Sequence, residues 1–194
     1  MHKIDDDNEL FDKLLGFVTV AVPQAERAVL GRDIMAAVWN DMSCTRLPGW
    51  ITPAPSNWGT TQRGKLSADS WRVVCTIHLP ITLIQLWHKE EGRKRQLLDH
   101  FMDLVAAVRI ANMRIASKEQ SDAYAFHISC YVRNIRTLYA DQKIKPSHHA
   151  ALHIDDMLSF FGPNHSHSGP HYECYINFFH HMNTNNKPGM LFCP

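Results

Sequence analysis

Helical periodicity, with no clear period-two alternation anywhere, predicts a mainly α fold: an irregular bundle of about six to seven helices. Three observations lead there. Apolar residues recur at steps of three and four through most of the chain. Serine, proline and glycine stand where such helices would start and stop. One long stretch, residues 44–66, carries Pro48, Pro53, Pro55, Gly49, Gly59 and Gly64, which exclude a regular element there.

At 194 residues the chain suits one domain with a real core. We divide it into N-terminal helices (1–43), an ordered loop (44–66), long central helices (67–142), a histidine-rich helix-turn-helix stretch (143–183) and an irregular tail (184–194). The formal charge of +1 gives no support to a broad electrostatic grip on nucleic acid and leaves room only for a local patch. Five cysteines without a CxxC spacing suggest free thiols in a reducing, intracellular compartment. The opening MHKIDDDNEL is acidic where a signal peptide would be basic and then apolar. The most apolar run, 73–87, is too short to span a bilayer, so no membrane partner is expected.

Taken in order, Leu10, Phe11, Leu14, Leu15 and Val18 make one apolar stripe over 8–22, ended by Pro23. A second helix follows with Leu30, Ile34, Ala37 and Val38 inward. A loop as long as 44–66 needs pins. Trp50 and Trp58 are the candidates, expected to lie on the helical core; nucleobase stacking or partner binding is the other reading of these rings.

Ser67 or Asp69 can cap the next helix. WRVVCTIHLPITLIQLW is apolar almost all round and belongs at the centre, kinked at Pro80. The β-branched content of RVVCTI leaves a buried strand as the alternative. His78 reads as a hydrogen-bonded core histidine rather than a ligand.

KEEGRKR opens the following helix; Arg93, Lys94 and Arg95 there are either a solvated helix end or a nucleic-acid patch. Leu97, Phe101, Leu104, Val108, Ala111 and Ile115 form one stripe, and after Ser117 the residues Tyr124, Ile128, Tyr131, Ile135 and Leu138 form another. Two long helices with a short joint should pack antiparallel. Arg133 and Arg136 stand off the second stripe, solvated or facing phosphate.

Eight of the thirteen histidines fall between Lys145 and Gly189. A helix is predicted over 147–161 with Ile154, Met157, Leu158 and Phe161 buried, stopped by Gly162 and Pro163. His149, His153 and Asp156 share its other side at i, i+4 and i+7, a spacing that can hold Zn²⁺ or another transition metal through neutral imidazole, or can simply be polar. The turn NHSHSGP exposes His165 and His167 as further metal candidates. A last helix over 171–183 carries Glu173 in its first turn, where the helix dipole alone would favour an acid.

KPSHHAALHIDDMLSFFGP…HSH…YECYINFFHHMNTNNKPG resembles the C-terminal region of CACTA (En/Spm)-type DNA transposases and proteins derived from them. LPGWITPAPSNWGTTQRGKLSADSWRVVCTIHLPITLIQLW is similar to the segment before it, so the resemblance runs from about residue 40 onward. It implies the helical part of an RNase H-like core, in which two strand-borne aspartates and a later acid hold two Mg²⁺ (or Mn²⁺) ions for in-line attack on a phosphodiester. Glu173 matches the later acid, and His153 and His165 match recurrent histidines near it. The arginine expected after the acid is Cys174, and the aromatic-proline pair before it is His171 and Tyr172. Asp5, Asp6 and Asp7, and Asp155 and Asp156, do not resemble the strand-borne pair.

One carboxylate does not clamp two cations, so the resemblance implies a truncated or domesticated transposase remnant without autonomous cleavage. Its implied location is nuclear. Its implied partners are DNA, a longer transposase, or a second copy meeting it through a face left exposed. Two alternatives stay open. One is a stand-alone metal-dependent nuclease using Glu173 with His149, His153, Asp156, His165 or His167. The other is a helical DNA-binding module working through Arg93, Lys94, Arg95, Arg133 and Arg136.

Overall fold

A computed structural model of the chain describes residues 30–60, 65–139, 142–166 and 176. Every regular element among them is helical: α1 (Arg32–Cys44), α2 (Ala68–Val73), a π-turn (Val74–His78), α3 (Leu79–Trp87), α4 (Arg93–Ala111), α5 (Lys118–Leu138), α6 (Pro146–Ala151), α7 (Ile154–Phe161) and a short 3₁₀ turn (Asn164–Ser166). The expected helices over 8–22 and 171–183, and the tail, lie outside the described residues. None of the described helices is long and apolar enough to cross a membrane.

The central segment is helical, not a strand. Ser67 caps it, its hydroxyl accepting from the Ser70 N–H at 3.2 Å. The disturbance expected at Pro80 takes the form of the π-turn just before it. Pro80 has no N–H to give to an α-helical carbonyl, and the Leu79 N–H reaches back five residues to the Val74 carbonyl. α3 is tied to α1 by the Thr82 hydroxyl, which donates to Asp41 Oδ2 at 2.7 Å. Val38, Val74, Leu83, Trp87 and Leu98 form the first of two apolar cores around this segment. His78 is buried there, but its Nδ1 has no hydrogen-bond partner, so the bond expected of a core histidine is missing at that nitrogen. Burial lowers its pKa.

The two tryptophans of the loop part company. Trp58 is 4 % exposed, and its indole N–H donates to Met42 Sδ at 3.1 Å while its carbonyl accepts from Trp39 Nε1 at 3.2 Å. It also meets Trp71 edge-on at 5.9 Å. Trp50, expected to be a second pin, is 86 % exposed. The Ile51 N–H closes a turn on the Pro48 carbonyl at 3.0 Å, with Trp50 at its outer corner; Leu47 and Ile51 on either side pack on the core instead. Gly59 follows Trp58 at φ +81, and a Cβ there would stand 3.0 Å from the Met35 methyl.

α4 and α5 do pack antiparallel. His100 stacks on Tyr131 and Asp103 bonds His127, so a step forward on one helix is a step back on the other. α4 ends earlier than its stripe suggests: Asn112 turns its side-chain N–H onto the Val108 carbonyl at 2.7 Å, and Ile115 lies beyond the end, 74 % exposed. A capping box, Ser117 with Gln120, starts α5. Tyr124, Ile128, Val132, Ile135, Ala107, Ile144 and Leu158 belong to the second core.

The single helix expected over 147–161 is broken into α6 and α7. The Tyr124 hydroxyl donates to the Ala151 carbonyl at 2.8 Å, taking an acceptor that an unbroken helix would give to the Asp155 N–H. Leu152 and His153 make tighter i to i−3 bonds instead. The break also turns the stripe. Leu158 is buried and Ser159 bonds Ser121 at 2.9 Å, whereas Met157 and Phe161, expected inside, are exposed. Gly162, at φ +78, stops α7 as expected.

Candidate functional site

Glu173 and His167 lie outside the described residues. The histidine face is only partly assembled. His149 and His153 approach through Nε2 atoms 3.3 Å apart, one ring donating to the other. Asp156 sits on the opposite side of the His153 ring, 3.8 Å from Nδ1. His165 is on the 3₁₀ turn, beyond the end of α7. Among the described residues no three His, Cys, Asp or Glu side chains converge as metal ligands.

The basic residues fare differently. Because α4 and α5 run antiparallel, the start of one lies beside the end of the other. Arg93, Lys94 and Arg95 therefore share one end of the hairpin with Arg133 and Arg136, although some forty residues separate the groups in sequence. Lys94 pairs with Glu90 at 3.2 Å and Arg95 with Asp99 at 3.0 Å, both on the surface. Exposed pairs of this kind contribute roughly 0–1 kcal/mol. Arg133 is exposed. Arg93 lies near Tyr139: burial pushes that phenol up to about 12, Tyr131 adds to the rise, and Arg93 opposes it.

Next to this basic end is a cleft of about 420 Å³. Phe101, Leu104 and Ile135 supply apolar wall, His100, Tyr131, Tyr139 and His148 supply rings, and Gln142 and Lys145 supply polar groups. His100 and Tyr131 lie almost parallel, 10° between planes and 4.5 Å between centroids. Tyr139 tilts against His100 at 5.5 Å, and His148 stands edge-on to Tyr131 at 6.3 Å. His100 is 3 % exposed, and its Nδ1 has no hydrogen-bond partner. Burial lowers its pKa to about 4, a little offset by Asp103. Burial and then Lys145 lower His148 as well. Both imidazoles are thus held toward the neutral form.

Reading the chain linearly misses this cleft. Tyr131 registers only as one step of an apolar stripe. His100 passes without notice, although its place three residues after Leu97 puts an imidazole on the buried side of α4. Tyr139, Gln142 and Lys145 fall between helices, where periodicity says nothing.

No protein-family model matches the chain, and no curated protein or solved structure does.

Proposed function

We propose that this chain is a helical module derived from a CACTA-type transposase that binds DNA and does not cut it. The observation that carries the reading is the gathering of Arg93, Lys94, Arg95, Arg133 and Arg136 at one end of the α4–α5 hairpin. A net charge of +1 over the whole chain fits a local contact of a few phosphates and not an enveloping one. The motif resemblance supports the origin, and within that resemblance Glu173 is the lone match to a metal-binding acid. Two-metal phosphoryl chemistry needs further carboxylates. Any Mg²⁺ or Mn²⁺ site would therefore need carboxylates beyond Glu173, which a longer transposase could supply.

The test is a mobility shift on a short duplex at several salt concentrations. Retardation should weaken steeply with salt, and replacing Arg133 and Arg136 by Gln should lower the log–log salt slope by about one per lost phosphate contact. Binding that ignores salt, or is unchanged in that variant, would remove the reading.

A second reading has one observation in its favour. The 3.3 Å between His149 Nε2 and His153 Nε2 is close to the roughly 3.4 Å that separates two ligands of a tetrahedral Zn²⁺ with bonds near 2.1 Å. A zinc ion would replace the proton shared between the rings, with water or other side chains completing its shell. Zinc retained through dialysis by the wild type and lost from His149→Ala would support that reading. A metal-free preparation of the wild type would exclude it.

A further inference from the structure

We infer that the cleft between α4, α5 and the segment leading into α6 is a slot for one nucleotide, a planar heteroaromatic base carrying phosphate. Its volume, about 420 Å³, falls within the range of small-molecule sites. Its walls are suited to a flat ring. Tyr131, backed by the His100 ring stacked on it at 4.5 Å, forms an aromatic wall, and Ile135 and Leu104 give apolar contact beside it. Stacking on a tyrosine ring is sequence-tolerant, because every base has a π-face.

The polar groups are those a nucleotide needs. Gln142 offers both a donor and an acceptor to a base edge, and the Lys145 ammonium offers a point charge to phosphate. None of the described residues lining the cleft is acidic. Arg93, near Tyr139, extends the positive potential outward. The His100 imidazole behind Tyr131 is 3 % exposed, which holds that wall in one orientation.

The inference rests on the nucleic-acid reading only for the source of the ligand, since a free mononucleotide and an unpaired residue of a DNA strand share this chemistry. The experiment follows the aromatic NMR signals of His100, Tyr131 and His148 while thymidine 5′-monophosphate, thymidine, inorganic phosphate or a short oligothymidylate is added. The monophosphate should shift all three rings. Lys145→Gln, an exposed position, should weaken the monophosphate by roughly tenfold and leave thymidine unchanged. Leu104→Trp should fill the cleft and abolish both.

An oligomer binding at least tenfold more tightly than the monophosphate identifies a strand as the source, and equal affinities identify the free nucleotide. Rings that do not move, shifts reproduced by inorganic phosphate alone, or undiminished binding in a folded Leu104→Trp protein would overturn the proposal. Duplex retardation that depends on Arg133 and Arg136 reports separately, so either idea can fail while the other stands.

Discussion

The imidazole of His100 lies flat against the phenol ring of Tyr131, 4.5 Å centroid to centroid, in a position almost sealed from water. A protonated ring there would be a buried cation without a hydrogen bond at Nδ1, which is why its pKa falls to about 4. The sign of the consequence is fixed. The unfolded chain takes up this proton near pH 6.5 and the folded chain only near 4, so the folded state loses stability as pH falls through that window. The loss by pH 4 should be about 2 to 3 kcal/mol. Urea midpoints measured between pH 7 and 4 should decline less steeply in His100→Phe, which keeps the stack and removes the titration. A residual slope should remain, because His78 and His148 are lowered as well.

Trp58 and Trp50 make a paired test of how the loop is held. Trp58→Ala should cost about 3–5 kcal/mol, since it empties a buried site and orphans contacts to α1. Trp50→Ala should stay within about 0.5 kcal/mol of the wild type, as expected of a ring that is 86 % exposed. Chemical denaturation of the two variants side by side decides it; equal losses would mean that both rings hold the loop.

That contrast marks what a sequence can reveal here. Helices α1, α4 and α5 announce themselves through their stripes, and Ser67, Gly162 and Pro80 mark stops and starts that the fold obeys. These signals are local, carried within a few turns of chain. Which tryptophan turns inward depends on a tight turn at Pro48–Ile51, and the break between α6 and α7 depends on a hydroxyl twenty-seven residues away. The cleft is less legible still. Its rings come from α4, α5 and the following connection, and only the register of His100 on Tyr131 brings them together. Of the candidate site residues, the arginines were recognisable as two separate basic groups, but their shared location needed the antiparallel packing.

The α6–α7 break gives a third prediction. Tyr124→Phe removes the donor to the Ala151 carbonyl and should destabilise the fold by about 1–2 kcal/mol. More tellingly, amide exchange should change at Asp155, whose N–H gains a helical acceptor once the hydroxyl is gone. Slower exchange there in the variant supports the account, and unaltered exchange contradicts it.

The capping box at the start of α5 yields a fourth. Ser117→Ala breaks the bond from the Gln120 N–H, 3.3 Å long, and should cost about 1 kcal/mol, while Ser117→Asp should recover most of it. Thermal melts of the two variants check both halves. A Ser117→Asp protein no more stable than Ser117→Ala would show that the cap does not matter to the hairpin.

The most direct measurement of binding without cutting uses supercoiled plasmid incubated with the whole chain and Mg²⁺, followed on a gel for both mobility and topology. The plasmid should be retarded at low salt and recovered fully supercoiled once protein is removed. Open-circular product that forms with the wild type and disappears with Glu173→Gln would contradict the account, making the chain a nuclease in its own right.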